Sequence, residues 1–247
     1  MKHQEIIRYI PGSRCAVLMI HGIAGTPNHF RQLVPLVPQD WSLYNILLDG
    51  HGKTVEDFGA TSMAKWKQQV NTWLETLFSR HEKILIVAHS MGTLFAIQAA
   101  IDHPDKISKL FLLSVPTRPH YPPSTALSSF RLSQCARRPD DKATQEMLEV
   151  VGVIPDRNVF KYFTWIPNFW SLLKECRRIR KQLHQLKVPT QTFQSRKDEL
   201  VSFRSVKDLQ DHPYIVNTVL EHSGHSVYRE PDLSLLQKTL TETIQSI

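Results

Sequence analysis

Residues 14–20 (RCAVLMI), 42–48, 84–88 and 109–115 are apolar or nearly so, without the polar-apolar alternation of a half-exposed strand. Such runs suit strands buried on both faces. Between them the apolar positions fall at helical spacing. Over 62–79, Trp66, Val70, Trp73, Leu74 and Leu77 lie three and four apart or adjacent. Residues 29–37 have similar spacing and end at Pro38, and 91–102 suits a helix that stops before Pro104. This alternation of strand and helix predicts a parallel sheet covered by helices on both faces. The rhythm resumes late, with strands over 188–194 and 215–221, a helical stretch over 205–210 and a closing amphipathic helix over 232–244.

Residues 116–187 break the rhythm. They open with prolines, continue as mostly helical polar text, and contain no clear strand. The charge distribution isolates the same stretch. The chain of 247 residues has a net charge of +7, and residues 116–187 hold 13 Lys and Arg against 6 Asp and Glu. The rest of the chain holds 17 of each, so one segment carries the whole excess. The pattern predicts a core of 1–115 and 188–247, with 116–187 inserted as a small helical cap before the last two strands.

Other totals narrow the field. No run approaches the ~20 apolar residues of a membrane span, and the early apolar run is too short and too late for a secretory leader. A cytoplasmic protein is expected. Cys15, Cys135 and Cys176 are far apart and form no CxxC, which suggests neither a disulfide framework nor a zinc site; Cys15 is expected in the core. A basic excess can attract nucleic acid, an anionic membrane or an acidic ligand. No zinc-finger, KH or RRM pattern supports the first, and no nucleic-acid partner is expected.

The chemistry concentrates at 84–92, ILIVAHSMG. An apolar strand there runs into a serine between small residues, and a helix follows. A tight strand-to-helix turn of this kind tolerates only small residues two positions either side of the serine, here Ala88 and Gly92. It presents the Ser90 hydroxyl beyond the carboxyl end of a parallel strand, at a helix N-terminus that favours developing negative charge. The competing reading is a serine that merely caps the helix.

A serine hydroxyl needs a base, and the base an orienting acid. Of twelve histidines, His225 in SGHS follows the last strand and opens on the same sheet edge. His222 ends that strand and reads as structural. His89 is too close in sequence to fold back onto Ser90. His81 and His103 are expected to face solvent. The acid is sought in QSRKDELV after the preceding strand, where Asp198 and Glu199 compete. The order serine, acid, histidine is that of the α/β-hydrolase arrangement. The oxyanion needs two N–H donors. The backbone N–H of Met91 is one, and the loop HGIAG at 21–25 places Ile23 as the other.

Together HGIAG, DGHG, AHSMG, RKDELV and SGHS resemble the α/β-hydrolase superfamily, and within it the small bacterial carboxylesterases close to monoacylglycerol lipases. The resemblance covers 14–115 and 188–247. It implies an α/β-hydrolase fold, Ser90 as nucleophile, His225 as base, Asp198 rather than Glu199 as acid, and Ile23 and Met91 as oxyanion donors. It gives the DGHG loop at 49–52 a structural role only. Ala88 stands where such elbows usually have glycine, a mild steric change. The implied activity is hydrolysis of carboxylic esters through an acyl-enzyme, with no metal and no organic cofactor. The same triad serves thioesterases, C–C hydrolases, peptidases and acyltransferases, and a binding protein on this scaffold is the non-catalytic alternative.

The inserted segment has six aromatic residues between Phe160 and Trp170. Phe163, Trp165 and Phe169 are candidates to line an acyl pocket, against the plainer role of a cap core and its seam with the sheet. Lys174, Arg177, Arg178, Arg180 and Lys181 follow, as a solvated helix face, a peripheral membrane contact or an attraction for anionic substrates. The expected partners are a small-molecule ester and, at most, a second copy in a small homo-oligomer, with no stable membrane insertion.

Overall fold

The computed structural model describes residues 3–120, 125–138, 140 and 142–247; the rest of the segment 116–187 lies outside them. Among these residues seven strands form one sheet: β1 (Ile6–Arg8), β2 (Cys15–Ile20), β3 (Ser42–Ile46), β4 (Lys83–His89), β5 (Ile107–Leu113), β6 (Thr190–Ser195) and β7 (Ile215–Leu220). The spatial order is β1-β3-β2-β4-β5-β6-β7. Only β1 runs antiparallel, against β3; the remaining pairs are parallel. The fold is the α/β-hydrolase fold, a mostly parallel sheet flanked by helices.

The helices are α1 (Val55–Gly59), α2 (Met63–Arg80), α3 (Met91–Asp102), α4 (Thr125–Arg137), α5 (Lys142–Val150), α6 (Ile166–Gln182), α7 (Val206–Leu209) and α8 (Asp232–Gln245). The unbroken apolar runs of the strands follow from burial on both faces. Ala16, Leu18 and Ile20 of β2 join Trp66, Leu74, Leu94 and Ile179 in one apolar cluster. Val17 and Met19 of the same strand join Phe30, Phe193, Leu236 and Leu240 in the other.

The structure departs from the sequence expectations in several places. The helix expected over 29–37 is two 3₁₀ segments, Pro27–Phe30 and Val34–Leu36. Pro35 supplies no backbone N–H to an α-helical ladder, and the following Pro38 prevents extension. The edge strand β1 is absent from the reading because Ile6 and Ile7 are each 42% exposed and carry no burial pattern. His81, expected in solvent, is buried, with its ring nitrogens on Ser13 O (2.8 Å) and Tyr44 Oη (3.2 Å). Cys15 is only partly buried.

Helices α4, α5 and α6 lie between β5 and β6 in the chain, joined by a 3₁₀ helix, Val159–Trp165. Helix α6 is fastened to the sheet layer. Leu172, Cys176 and Ile179 enter the same apolar cluster as β2 and β4. The Asn168 Nδ2–H donates to Phe58 O (3.0 Å). Buried Glu175 meets Lys67 of α2 at 2.7 Å and Arg178 at 2.5 Å, and Arg178 donates to Gln98 of α3 at 2.5 Å. Among the described residues no helix is long and apolar enough to cross a membrane.

Candidate active site

The turn between β4 and α3 is as tight as its small residues require. Ser90 sits at φ 50°, ψ −119°, a strained backbone for a residue with a side chain. Its N–H donates to Leu113 O (2.9 Å), and its carbonyl accepts from the Thr93 hydroxyl (2.6 Å). A Cβ on Gly92 would lie 2.2 Å from Ile20 O and 2.8 Å from His21 O, so strand β2 and the first turn of α3 touch there and only glycine fits. The Ser90 side chain makes no capping bond. Its hydroxyl is held elsewhere.

That partner is His225. Its Nε2 lies 3.0 Å from Ser90 Oγ, and its Nδ1 lies 2.9 Å from both oxygens of Asp198. A carboxylate can only accept, so the neutral ring carries its proton on Nδ1 and leaves Nε2 to accept from the serine hydroxyl. The Asp198 Oδ1 also accepts the N–H groups of Leu200 (2.9 Å) and Val201 (2.8 Å). Burial acts to raise the Asp198 pKa, but His225 and these two N–H groups outweigh it and hold the carboxyl below its ordinary value. The competing carboxylate, Glu199, accepts the backbone N–H of His225 (3.1 Å); it fixes the loop.

The base is buttressed from behind. His89 Nε2 donates to the His225 carbonyl (2.9 Å). The His89 ring stacks on His29 at 3.8 Å, and His29 Nε2 lies 3.2 Å from Tyr228 Oη. Asp232, at the start of α8, accepts from the Ser223 hydroxyl (2.7 Å) and the His222 N–H (2.8 Å). The loop that carries His225 is therefore tied at both ends.

The loop 21–25 runs alongside the serine. A Cβ on Gly22 would come within 2.9 Å of Ser90 Cβ. Ala24 adopts φ 50°, and its N–H donates to His51 Nε2 (3.1 Å). The Gly25 N–H turns back to Gly22 O (3.0 Å). Among the described residues the Ile23 N–H has no protein acceptor. Met91 opens α3, where backbone N–H groups have no intrahelical partner. His21 and His51 clamp the two loops together: His21 Nε2 accepts from Leu48 N (3.1 Å), and the rings lie 4.7 Å apart.

Three supports escaped the sequence reading. His51 sits in the DGHG loop, which carries no expected chemistry, and His89 adjoins Ser90 too closely to reach back to it. Gly152 belongs to a segment without a motif. Its N–H donates to Ala24 O (2.8 Å), and its carbonyl accepts from Gly52 N (2.5 Å). Two of the three pocket candidates are placed otherwise than expected. Phe163 is 60% exposed, because the 3₁₀ helix turns it outward. Trp165 is buried in the seam, its indole N–H on Val55 O (2.9 Å) and its ring 4.5 Å from Phe58. Phe169 is partly buried against the core. Among the described residues no cluster of metal-ligating side chains is present.

The buried histidines make the site acid-sensitive. Burial lowers His21 and His89 well below the ordinary value, and His51 to about 4. In the unfolded chain these rings take up a proton near pH 6.5. Their contribution to stability is therefore complete above that pH and is lost as pH falls from about 6.5 toward the folded values. His51 alone should cost about 2 kcal/mol by pH 5. Urea unfolding at pH 7 and pH 5 checks this; a midpoint unchanged or raised at pH 5 contradicts it.

Comparison with known proteins adds four findings. The family model described as serine aminopeptidase, S33, matches residues 11–232. The thermostable monoacylglycerol lipase of Bacillus sp. (strain H-257) is 30% identical over 98 residues, which is 39% of this chain and only 39% of that lipase. Monoacylglycerol lipase abhd6-A of Xenopus laevis is 23% identical over 250 residues, 89% of this chain and 72% of the relative. A solved structure presented with LipS and LipT, two metagenome-derived lipolytic enzymes, superposes with a TM-score of 0.74 at 19% identity, over 100% of this chain and 98% of that one. At that identity the likeness speaks to the fold.

Proposed function

The chain belongs to the serine aminopeptidase S33 family and is a serine α/β hydrolase, and we propose that it is a carboxylesterase working through an acyl-enzyme on Ser90. The observation that carries the proposal is the unbroken relay from Ser90 Oγ to His225 Nε2, and from His225 Nδ1 to Asp198, at 3.0 and 2.9 Å. Ser90 Oγ attacks the ester carbonyl carbon while His225 takes the hydroxyl proton. The C–O π electrons move onto the carbonyl oxygen, which the N–H groups of Ile23 and Met91 receive. Collapse expels the alcohol, protonated by His225, and leaves the acyl group on Ser90. Water, deprotonated by His225, attacks next and releases the acid. Asp198 holds the imidazole tautomer and stabilises the imidazolium formed in each half.

Two of the relatives are named monoacylglycerol lipases, which supports a short- or medium-chain acyl ester or a monoacylglycerol as substrate. We assign residues 116–187 the role of a cap that sets this choice. Its stretch around Gly152 docks on the loop of Ile23, and that contact supports the assignment. The second reading is amide hydrolysis by the same groups, favoured by the family's description as an aminopeptidase.

A p-nitrophenyl ester series from acetate to palmitate, run beside alanine p-nitroanilide, tests both. Serine-dependent turnover of the esters with a chain-length optimum is expected. Turnover of the anilide alone would replace the esterase reading with the peptidase one. No turnover of either, and no labelling of Ser90 by a fluorophosphonate, would overturn both.

A further inference from the structure

One face of the helical insertion carries an order that the hydrolase chemistry does not use. Phe163, Ile166, Trp170, Lys174, Arg177 and Lys181 follow one another at intervals of three and four residues. The first lies in the 3₁₀ helix that runs directly into α6, and the rest lie on α6 itself. Residues so spaced share one face. The opposite face holds the buried Leu172, Cys176 and Ile179, so the stripe points away from the protein.

The stripe has two halves. Phe163 is 60%, Ile166 50% and Trp170 58% exposed, and Phe160, with its ring 6.2 Å from that of Phe163, is 73% exposed. A continuous apolar surface of this kind is unusual on a protein that leaves it in water. Lys174, Arg177 and Lys181 are exposed beyond it, and among the described residues none of the three has an ion-pair partner. Glu175, on the same helix, is buried and already taken by Lys67 and Arg178.

We propose that this face docks the protein peripherally on an anionic lipid surface. Phe160, Phe163, Ile166 and Trp170 enter the interfacial layer, and Lys174, Arg177 and Lys181 lie against the headgroup phosphates. Charge complementarity selects this occupant. The segment 116–187 holds the entire cationic excess of the chain, and a row of apolar groups continued by a row of cations on one helix face matches a bilayer's hydrocarbon edge and its negative headgroups. A second copy of the chain would bring the same cations against themselves. The inference goes beyond the esterase reading and is measured without turnover.

The test is sedimentation of the full chain with large vesicles of phosphatidylcholine, with and without 30 mol% phosphatidylglycerol, roughly the anionic content that a basic surface senses. Binding to the anionic vesicles is expected at low salt, with a loss of about tenfold or more in 0.5 M NaCl. I166S/W170S should weaken it at least about tenfold, and K174E/R177E/K181E should abolish the preference for anionic lipid. Circular dichroism and hydrolysis of a short soluble ester report whether the variants remain folded. Failure of the wild-type chain to sediment with anionic vesicles would overturn the proposal. So would binding that I166S/W170S leaves intact, or a dimer in sedimentation velocity that the same change dissolves while no vesicle is bound.

Discussion

Ser90→Ala is expected to lower kcat on a p-nitrophenyl ester about 10⁶-fold, and Asp198→Asn about 10⁴-fold. The first figure follows because the methyl group leaves His225 nothing to activate, and the remaining catalysis comes from binding and oxyanion donors alone. The second follows from the tautomer. Asp198 accepts from His225 Nδ1 with both oxygens, but an asparagine can turn its NH₂ toward that nitrogen. The ring proton is then driven to Nε2, where the serine needs an acceptor. Glu199→Gln separates this account from its nearest rival. Among the described residues Glu199 accepts only the backbone N–H of His225, and a glutamine oxygen can keep that bond, so the loss should stay within about tenfold. Steady-state kinetics on the three variants, each checked by circular dichroism, decide the matter. A loss in Glu199→Gln equal to that in Asp198→Asn would show that the acid has been misassigned.

The two carboxylates also mark the limit of what the sequence could say. Both lie in a single loop, adjacent, and the residue types alone do not rank them; the resemblance had to. The separation comes from backbone direction: Asp198 turns under the ring and is filled by two N–H groups, while Glu199 reaches over Gly224. Other features were legible because one local force sets them. Strands β2, β4 and β5 are apolar through and through because both faces are covered. The elbow around Ser90 shows in the small residues that contact with β2 demands. What stayed hidden depends on chain segments far apart. The burial of His81 requires Ser13 and Tyr44, and the seam around Trp165 requires Val55 and Phe58. An exposed aromatic and a buried one look alike in FKYFTW; the winding of the 3₁₀ helix sends Phe163 outward and Trp165 inward.

Gly152→Val is expected to lower kcat about 10²-fold, the scale of a displaced oxyanion donor, although residue 152 follows α5 and touches none of the triad. The residue is wedged between two loops. A Cβ there would stand 1.7 Å from Gly25 O, 2.6 Å from Gly25 C and 3.1 Å from Thr26 Cβ. Its neighbours leave it no retreat. Val153 is buried and bridges Lys53, and the Ile154 N–H donates to Lys53 O (2.8 Å). The clash therefore falls on the loop 21–25, whose Ala24 is already held at φ 50°. Rotating that peptide turns the Ile23 N–H, the proposed oxyanion donor, away from where that role would need it, while the relay of Ser90, His225 and Asp198 is untouched. The loss should appear in kcat, with KM nearly unchanged, because an oxyanion donor acts on the transition state more than on the bound ester. Gly12→Ala serves as the control. Gly12 has positive φ (78°), but a Cβ there meets nothing within 4 Å, so that change strains the backbone without pressing on the site, and kcat should hold. Full activity in Gly152→Val with a lowered melting temperature would show that the inserted segment yields instead of the loop, and that its docking shapes stability without shaping the oxyanion site.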